Sequence, residues 1–198
     1  EIGELHPPHL VLAAGQVRTE HGELPQDWSP EAVRASCEAS LKRLGRDWID
    51  VWQLHNPRME AILSGELFET LERLREDGKI RAAGIALGPD VGWGEEGLAA
   101  IQRGYPVMQI IYNLFEQEPS RRFFGPAAEM GTGLFVRVPH ASGLLDGSYD
   151  AGKTFDKSDH RSHRKMQWMG ECLKVRETMG DLTAGGKRTL GQAAMLYA

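Results

Sequence analysis

The chain has 198 residues, 41% hydrophobic and 26% charged, with a formal net charge of -5. That composition suits a soluble globular domain, its length allows one domain with a real core, and its negative balance argues against nucleic acid, whose binders carry a basic field. No apolar run approaches the roughly 20 residues that cross a bilayer, and Cys37 and Cys172 form neither a metal spacing nor a disulfide framework, which fits a reducing cytoplasm.

The N-terminus lacks the basic-then-apolar pattern of a leader. It begins at Glu1 without Met, which reads as an internal start. The first strand-like run is His9–Ala13, followed by a polar connection. Ser29-Pro30-Glu31 then opens a helix: Ser caps, Pro fits the first turn, and Glu complements the macrodipole. Val33, Cys37, Leu41 and Leu44 give it one apolar face, on which Cys37 reads as a small buried hydrophobe, and Gly45 ends it. The second strand, Trp48–Leu54, runs into His55-Asn56-Pro57. A helix over Leu67, Leu71 and Leu74 stops at Asp77-Gly78. The third strand spans Ile80–Leu87, a helix covers Glu95–Arg103, and the fourth strand is Val107–Tyr112. Glu116 and Glu118 follow a strand end, where they would line a pocket mouth or, on the plainer reading, cap a helix near Arg122–Met130, which ends at Gly131 before the fifth strand, Leu134–Pro139. A long irregular stretch occupies Ala141 to about Arg164, and a last helical pattern, Leu190, Ala193, Ala194 and Tyr197, runs to the chain end.

Strand–helix alternation of this kind requires a parallel sheet, because each strand must cross back through a helix. The strands are continuous apolar runs, as strands buried on both faces are. Periodicity does not separate a closed barrel from an open doubly wound sheet. The absence of both G-x-G-x-x-G after a strand and G-x-x-x-x-G-K-[ST] tilts the choice toward a barrel. Barrel chemistry collects at C-terminal strand ends, which places Gly15/Gln16, His55/Asn56, Ala86/Leu87, Tyr112/Asn113 and Arg137/Pro139/His140 in view.

Several segments resemble the aldo/keto reductases, closest to their bacterial, potassium-channel-β-like branch. They are Ser29–Gly45, Ile49–His55, Leu71–Arg81, Gln109–Asn113 and Ser142-Gly143-Leu144-Leu145, in the family's order. The resemblance implies a partial (β/α)8 TIM-type barrel, about strands three to seven, as one domain over residues 1–198. It implies NADP(H) as cofactor and hydride transfer between nicotinamide and a small-molecule aldehyde, ketone or alcohol. It matches His55 to the histidine that orients the substrate carbonyl, and Gln109 to the contact of the nicotinamide carboxamide. Ser142, Gly143, Leu144 and Leu145 match the loop that contacts the pyrophosphate, and Arg137 stands where an aromatic stacks on the nicotinamide.

The departures are equally specific. The family's strands bearing the catalytic Asp and Tyr, and its eighth strand, have no counterpart, and Gly15 stands at the catalytic Lys position. The Ser-Asn pair that follows the family's fifth strand reads Ala86-Leu87-Gly88. The chain alone is therefore expected to lack the proton donor. A non-catalytic barrel that binds cofactor or a partner is the rival reading, and open sheet edges are expected to favour self-association. Asp159–Arg164 is a dense polar cluster in the long loop. Arg161 or Arg164 offers bidentate phosphate contact, whereas a solvated loop face is the plainer reading. His160 and His163 lack a third ligand at metal spacing, so no metal is expected.

Overall fold

Helix α1 (Pro30–Leu44) forms where the sequence supplies both of its ends. Ser29 Oγ accepts from the Ala32 N–H at 3.3 Å, and Gly45 closes the helix at φ 63°. The left-handed cap is one that glycine adopts without a Cβ penalty. The computed structural model describes residues 11–14, 18–19, 22–23, 27–88, 93–148, 150, 152–156, 159–163, 166–183 and 185–198.

Strands β1 (Val11–Ala14), β4 (Ile49–His55), β5 (Ile80–Ala86), β6 (Val107–Ile111) and β7 (Gly133–Arg137) form one sheet in chain order. A second, antiparallel pair joins β2 (Arg18–Thr19) to β3 (Gly22–Glu23), inside what reads from sequence as a polar connection. Pairings β1–β4, β4–β5 and β5–β6 are parallel. A doubly wound sheet reverses its strand order at a switch point, and this sheet does not reverse. Sequential order with helical crossovers is the winding of a (β/α) barrel, so the sheet is part of one.

Three of the intervening helices are α2 (Met59–Leu63), α3 (Gly65–Glu76) and α4 (Gly94–Arg103). Helix α3 starts where Ser64 Oγ accepts from the Leu67 N–H at 3.2 Å, and it buries Leu67, Leu71 and Leu74. Ahead of α5 (Phe124–Met130) comes a 3-10 turn, Ser120–Phe123, with no side-chain cap. The glutamates expected to cap that region do not do so: Glu118 is exposed and Glu116 binds Asn113 instead.

The chain divides into two compact units, Glu1–Ile110 with Pro119–Phe135, and Ile111–Glu118 with Val136–Ala198. The second carries α6 (Met166–Glu177) and α7 (Leu190–Tyr197). Its core gathers Ala141, Leu144, Leu145, Met169, Cys172, Leu173 and Ala194. A capping box at Thr189 and Gln192 starts α7. No helix among the described residues is long and apolar enough to cross a membrane.

In the first unit, burial pushes the Cys37 thiol up to about 11 and the Tyr105 hydroxyl up to about 12. Both groups are neutral when protonated and hold their protons more tightly folded than unfolded. Their contribution is fully present below the unfolded values and is lost as pH rises toward the folded ones. Urea midpoints should therefore fall as pH rises from 9 to 11, and Cys37→Val should flatten that decline. A midpoint constant across that range would contradict the assignment.

Candidate active site

The glycines of the first unit tell the two faces of the sheet apart. A Cβ built on Gly97 of α4 would lie 3.0 Å from Leu87 Cδ1, so the Ile85/Leu87 side meets the helices. Trp52, Leu54, Ala83, Ile85, Met108 and Ile110, which alternate onto that side, are at most 3% exposed. A Cβ on Gly84 would instead lie 3.2 Å from both Gln53 Cγ and Val107 Cβ. Gln53, Gly84 and Val107 therefore share the opposite face, and alternation adds His55, Ala86 and Gln109 to it one step nearer the C-terminal ends.

Register brings two of the sequence-derived candidates into one row. His55 pairs with Ala86, and Ala86 pairs with Gln109. The two polar side chains thus flank a methyl group, with their Cα atoms roughly 10 Å apart across two strand spacings. Ala86, with only a methyl group, keeps the floor between them low. His55 and Gln109 are both half-buried, so each is held by packing yet reachable. Directly after His55, Asn56 turns into the left-handed region at φ 54°, and its N–H donates to the Ala86 carbonyl at 2.8 Å. Asn tolerates that conformation better than most residues, which is how the strand stops at His55. After β5, Trp93 closes over Gly88, with Arg58 stacked on its ring at 3.9 Å and paired to Glu96 at 3.3 Å.

The second unit holds the other group of candidates by itself. The segment Val138–Leu145 follows Arg137, the half-buried last residue of β7. Val138, Ala141, Ser142 and Gly143 all take positive φ, at 60°, 49°, 59° and 95°. Three of these are not glycine, so the turn is strained and is held by its surroundings. Asn113, fully buried, supplies part of that hold: its Nδ2 donates to the Val138 carbonyl at 3.0 Å and to Glu116 Oε2 at 2.9 Å. The Leu144 and Leu145 side chains are 0% exposed in the core, and their N–H groups donate to Ala141 and His140 carbonyls. They anchor the turn, leaving half-buried Ser142 and Gly143 at its bend.

A model of the aldo/keto reductase family matches residues 11–198. The chain belongs to the aldo/keto reductase family. Over 144 residues it is 31% identical to a D-threo-aldose 1-dehydrogenase of Pseudomonas sp., covering 66% of this chain and 42% of that protein. Among solved structures it superposes on the glycerol dehydrogenase of Gluconobacter oxydans with a TM-score of 0.76 at 24% identity, over 94% of this chain and 58% of that one. The holo form of an aldo-keto reductase from Bacillus halodurans gives 0.68 at 24% identity, over 95% and 57%. At these identities the structural matches show the shared fold. The chain spans about half the length of the solved relatives.

Gly15 and Arg164 lie outside the described residues, as do the side chains of His160 and His163. Arg161 is engaged in a two-pronged pair with Asp159, 3.0 Å from Nε to Oδ1 and 2.6 Å from Nη2 to Oδ2, and stacks on Phe155 at 4.4 Å. The burial of Gln53 and the pairing of the strand-end residue His140 escape sequence reading. Gln53 reads there only as part of the strand, yet it is a 1% exposed amide on the same face as His55. His140 sits 3.6 Å from Asp146, whose carboxyl is held below its usual range by hydrogen bonds from Ser148 and by His140 and Arg161 against the opposing effect of burial. Neither feature has a sequence spacing that announces it.

Proposed function

We propose that this chain carries the nicotinamide-facing part of an NADP(H)-dependent aldo/keto reductase that interconverts a small aldehyde or ketone and its alcohol. The observation that carries the reading is the His55–Ala86–Gln109 row at the strand ends. The low floor between two polar side chains fits a nicotinamide ring beside a carbonyl. Bound there, the cofactor supplies or accepts the hydride. His55 donates a hydrogen bond to the substrate oxygen, where negative charge develops as hydride arrives. The Gln109 amide matches the donor and acceptor of a carboxamide. In the second unit, Ser142 and Gly143 serve a phosphate, Leu144 and Leu145 fix their bend, and Arg137 adds positive charge. The match to an aldose dehydrogenase points to a hydroxylated carbonyl substrate, and two cysteines that form no disulfide suit a cytoplasmic setting.

Fluorescence titration of the purified chain with NADPH tests the reading. Saturation at micromolar concentration, weakened about tenfold by Gln109→Ala, is the expected result; a lost hydrogen-bonding partner worth about 1.4 kcal/mol gives that factor. His55→Ala should leave binding within about twofold, because it removes a substrate contact and not a cofactor contact. No saturation by a folded chain would remove the redox reading from this chain. One feature favours a second reading, a barrel that binds nicotinamide without turnover: Gly15 stands at the position of the family's Lys. Saturable NADPH binding with no carbonyl turnover would select it.

A further inference from the structure

Gln53 is a buried polar group on the His55 face that the proposed chemistry leaves unused. It is 1% exposed, and its Nε2 has no hydrogen-bond partner among the described residues. Buried amide N–H groups in folded proteins are nearly always satisfied, by protein or by ordered water. Leu or Met would fill the same volume with no orphaned donor, so an amide here needs a reason. Its position supplies one. Gln53 and His55 are two residues apart on one strand and so project from one face, with Cα atoms roughly 6.6 Å apart along it. Gln53 Nε2 makes no hydrogen bond to the imidazole, and side chains at this spacing can be bridged by one intervening water. Gly84, whose absent Cβ would come within 3.2 Å of Gln53 Cγ, leaves the amide the space to lie there.

We propose that Gln53 is a positioning residue for His55, its Nε2 donating to a buried water that in turn donates to one imidazole nitrogen. That bond fixes a single neutral tautomer, in which the other nitrogen carries the proton and donates toward the substrate carbonyl. The tautomer of a histidine is set by whatever its second nitrogen meets. The inference rests on the reading of His55 as the group that orients the carbonyl, but its test needs neither cofactor nor substrate.

The test is nitrogen-detected NMR of the full chain with 15N-histidine, with His55→Ala assigning the signal. In the parent, His55 should show the two-bond pattern of one neutral tautomer. In Gln53→Met, equal in length and unable to donate, it should show a mixture of both. Gln53→Glu should raise the His55 titration midpoint by about one pH unit, because a carboxylate in that place favours the imidazolium. An unchanged tautomer pattern in a folded Gln53→Met chain overturns the proposal. If that variant does not fold, a Gln53→Glu midpoint within about 0.2 units of the parent overturns it instead. NADPH titration of the same samples separates the two ideas. Coupling of Gln53 to His55 without NADPH binding keeps the positioning role and sinks the redox reading; NADPH binding without coupling does the reverse.

Discussion

Asn113→Leu should lower the unfolding free energy by about 3 kcal/mol, because it removes four hydrogen bonds between a buried amide and half-buried groups at once. The Asn113 side chain is 0% exposed and makes four hydrogen bonds. Its Nδ2 donates to Glu116 Oε2 and to the Val138 carbonyl, and its Oδ1 accepts from the N–H groups of Phe115 and Glu116. Leucine keeps the volume and removes all four. A carboxylate, a carbonyl and two N–H groups then lose a partner, and each unmade bond to a buried group costs about 1–3 kcal/mol, so partial relaxation toward water is already assumed in the total. Gln117→Leu is the control: Gln117 is half-buried, with one long bond of 3.4 Å to the Leu114 carbonyl. Its effect should stay within about 0.5 kcal/mol. Urea unfolding of the two variants measures the difference. Hydrogen exchange should rise most over Val138–Leu145, because Asn113 restrains the carbonyl of a residue at φ 60°. A loss below about 1 kcal/mol would mean that the turn holds itself and that Asn113 only fills space.

What the sequence made legible follows from which interactions are local. The caps at Ser29 and Gly45, the apolar stripe of α3 and the sheet strands each depend on neighbours a few residues away. They are found within about two residues of where the pattern puts them, except that His9 and Leu10 of the first expected strand lie outside the described residues. Helix α6 is different. Its buried residues Met169, Cys172 and Leu173 do fall at helical spacing, but half-buried Trp168 and exposed Val175 put apolar side chains to one side of that stripe and blur it. Helix α2 has five residues, fewer than two turns, and its stop is the start of α3 at Ser64. The site divides in the same way. His55 and Gln109 were visible as polar residues in apolar strands, and their common row required the register. Glu116 looked like a helix cap because it precedes a helix. Its carboxylate is taken by Asn113, three residues earlier, in a turn that no periodicity describes. The role of Gln53 depends on Gly84, thirty-one positions away in the chain and directly opposite in the sheet.

Gly88→Ala should destabilise the chain by about 3 kcal/mol, at the upper end of what overpacking does. A Cβ there would sit 1.8 Å, 2.1 Å and 2.2 Å from three atoms of the Trp93 indole. The clash is with a rigid ring that is itself 6% exposed and clasped by Arg58, so relief requires the ring and its partners to move together. Gly65→Ala should act in the opposite direction. A Cβ at that first residue of α3 would meet only the far end of Arg103, at 3.8 Å. With no steric penalty, the reduced entropy of the unfolded chain remains, a gain of about 0.5 kcal/mol. The pair therefore distinguishes contact from propensity, since both substitutions add the same methyl group. A small loss at Gly88 would mean that Trp93 is loosely seated, and the stretch after β5, where the family carries a Ser-Asn pair, would be open to a ligand. A loss near 3 kcal/mol would mean that the indole closes that stretch, leaving His55 and Gln109 as the polar groups of the row.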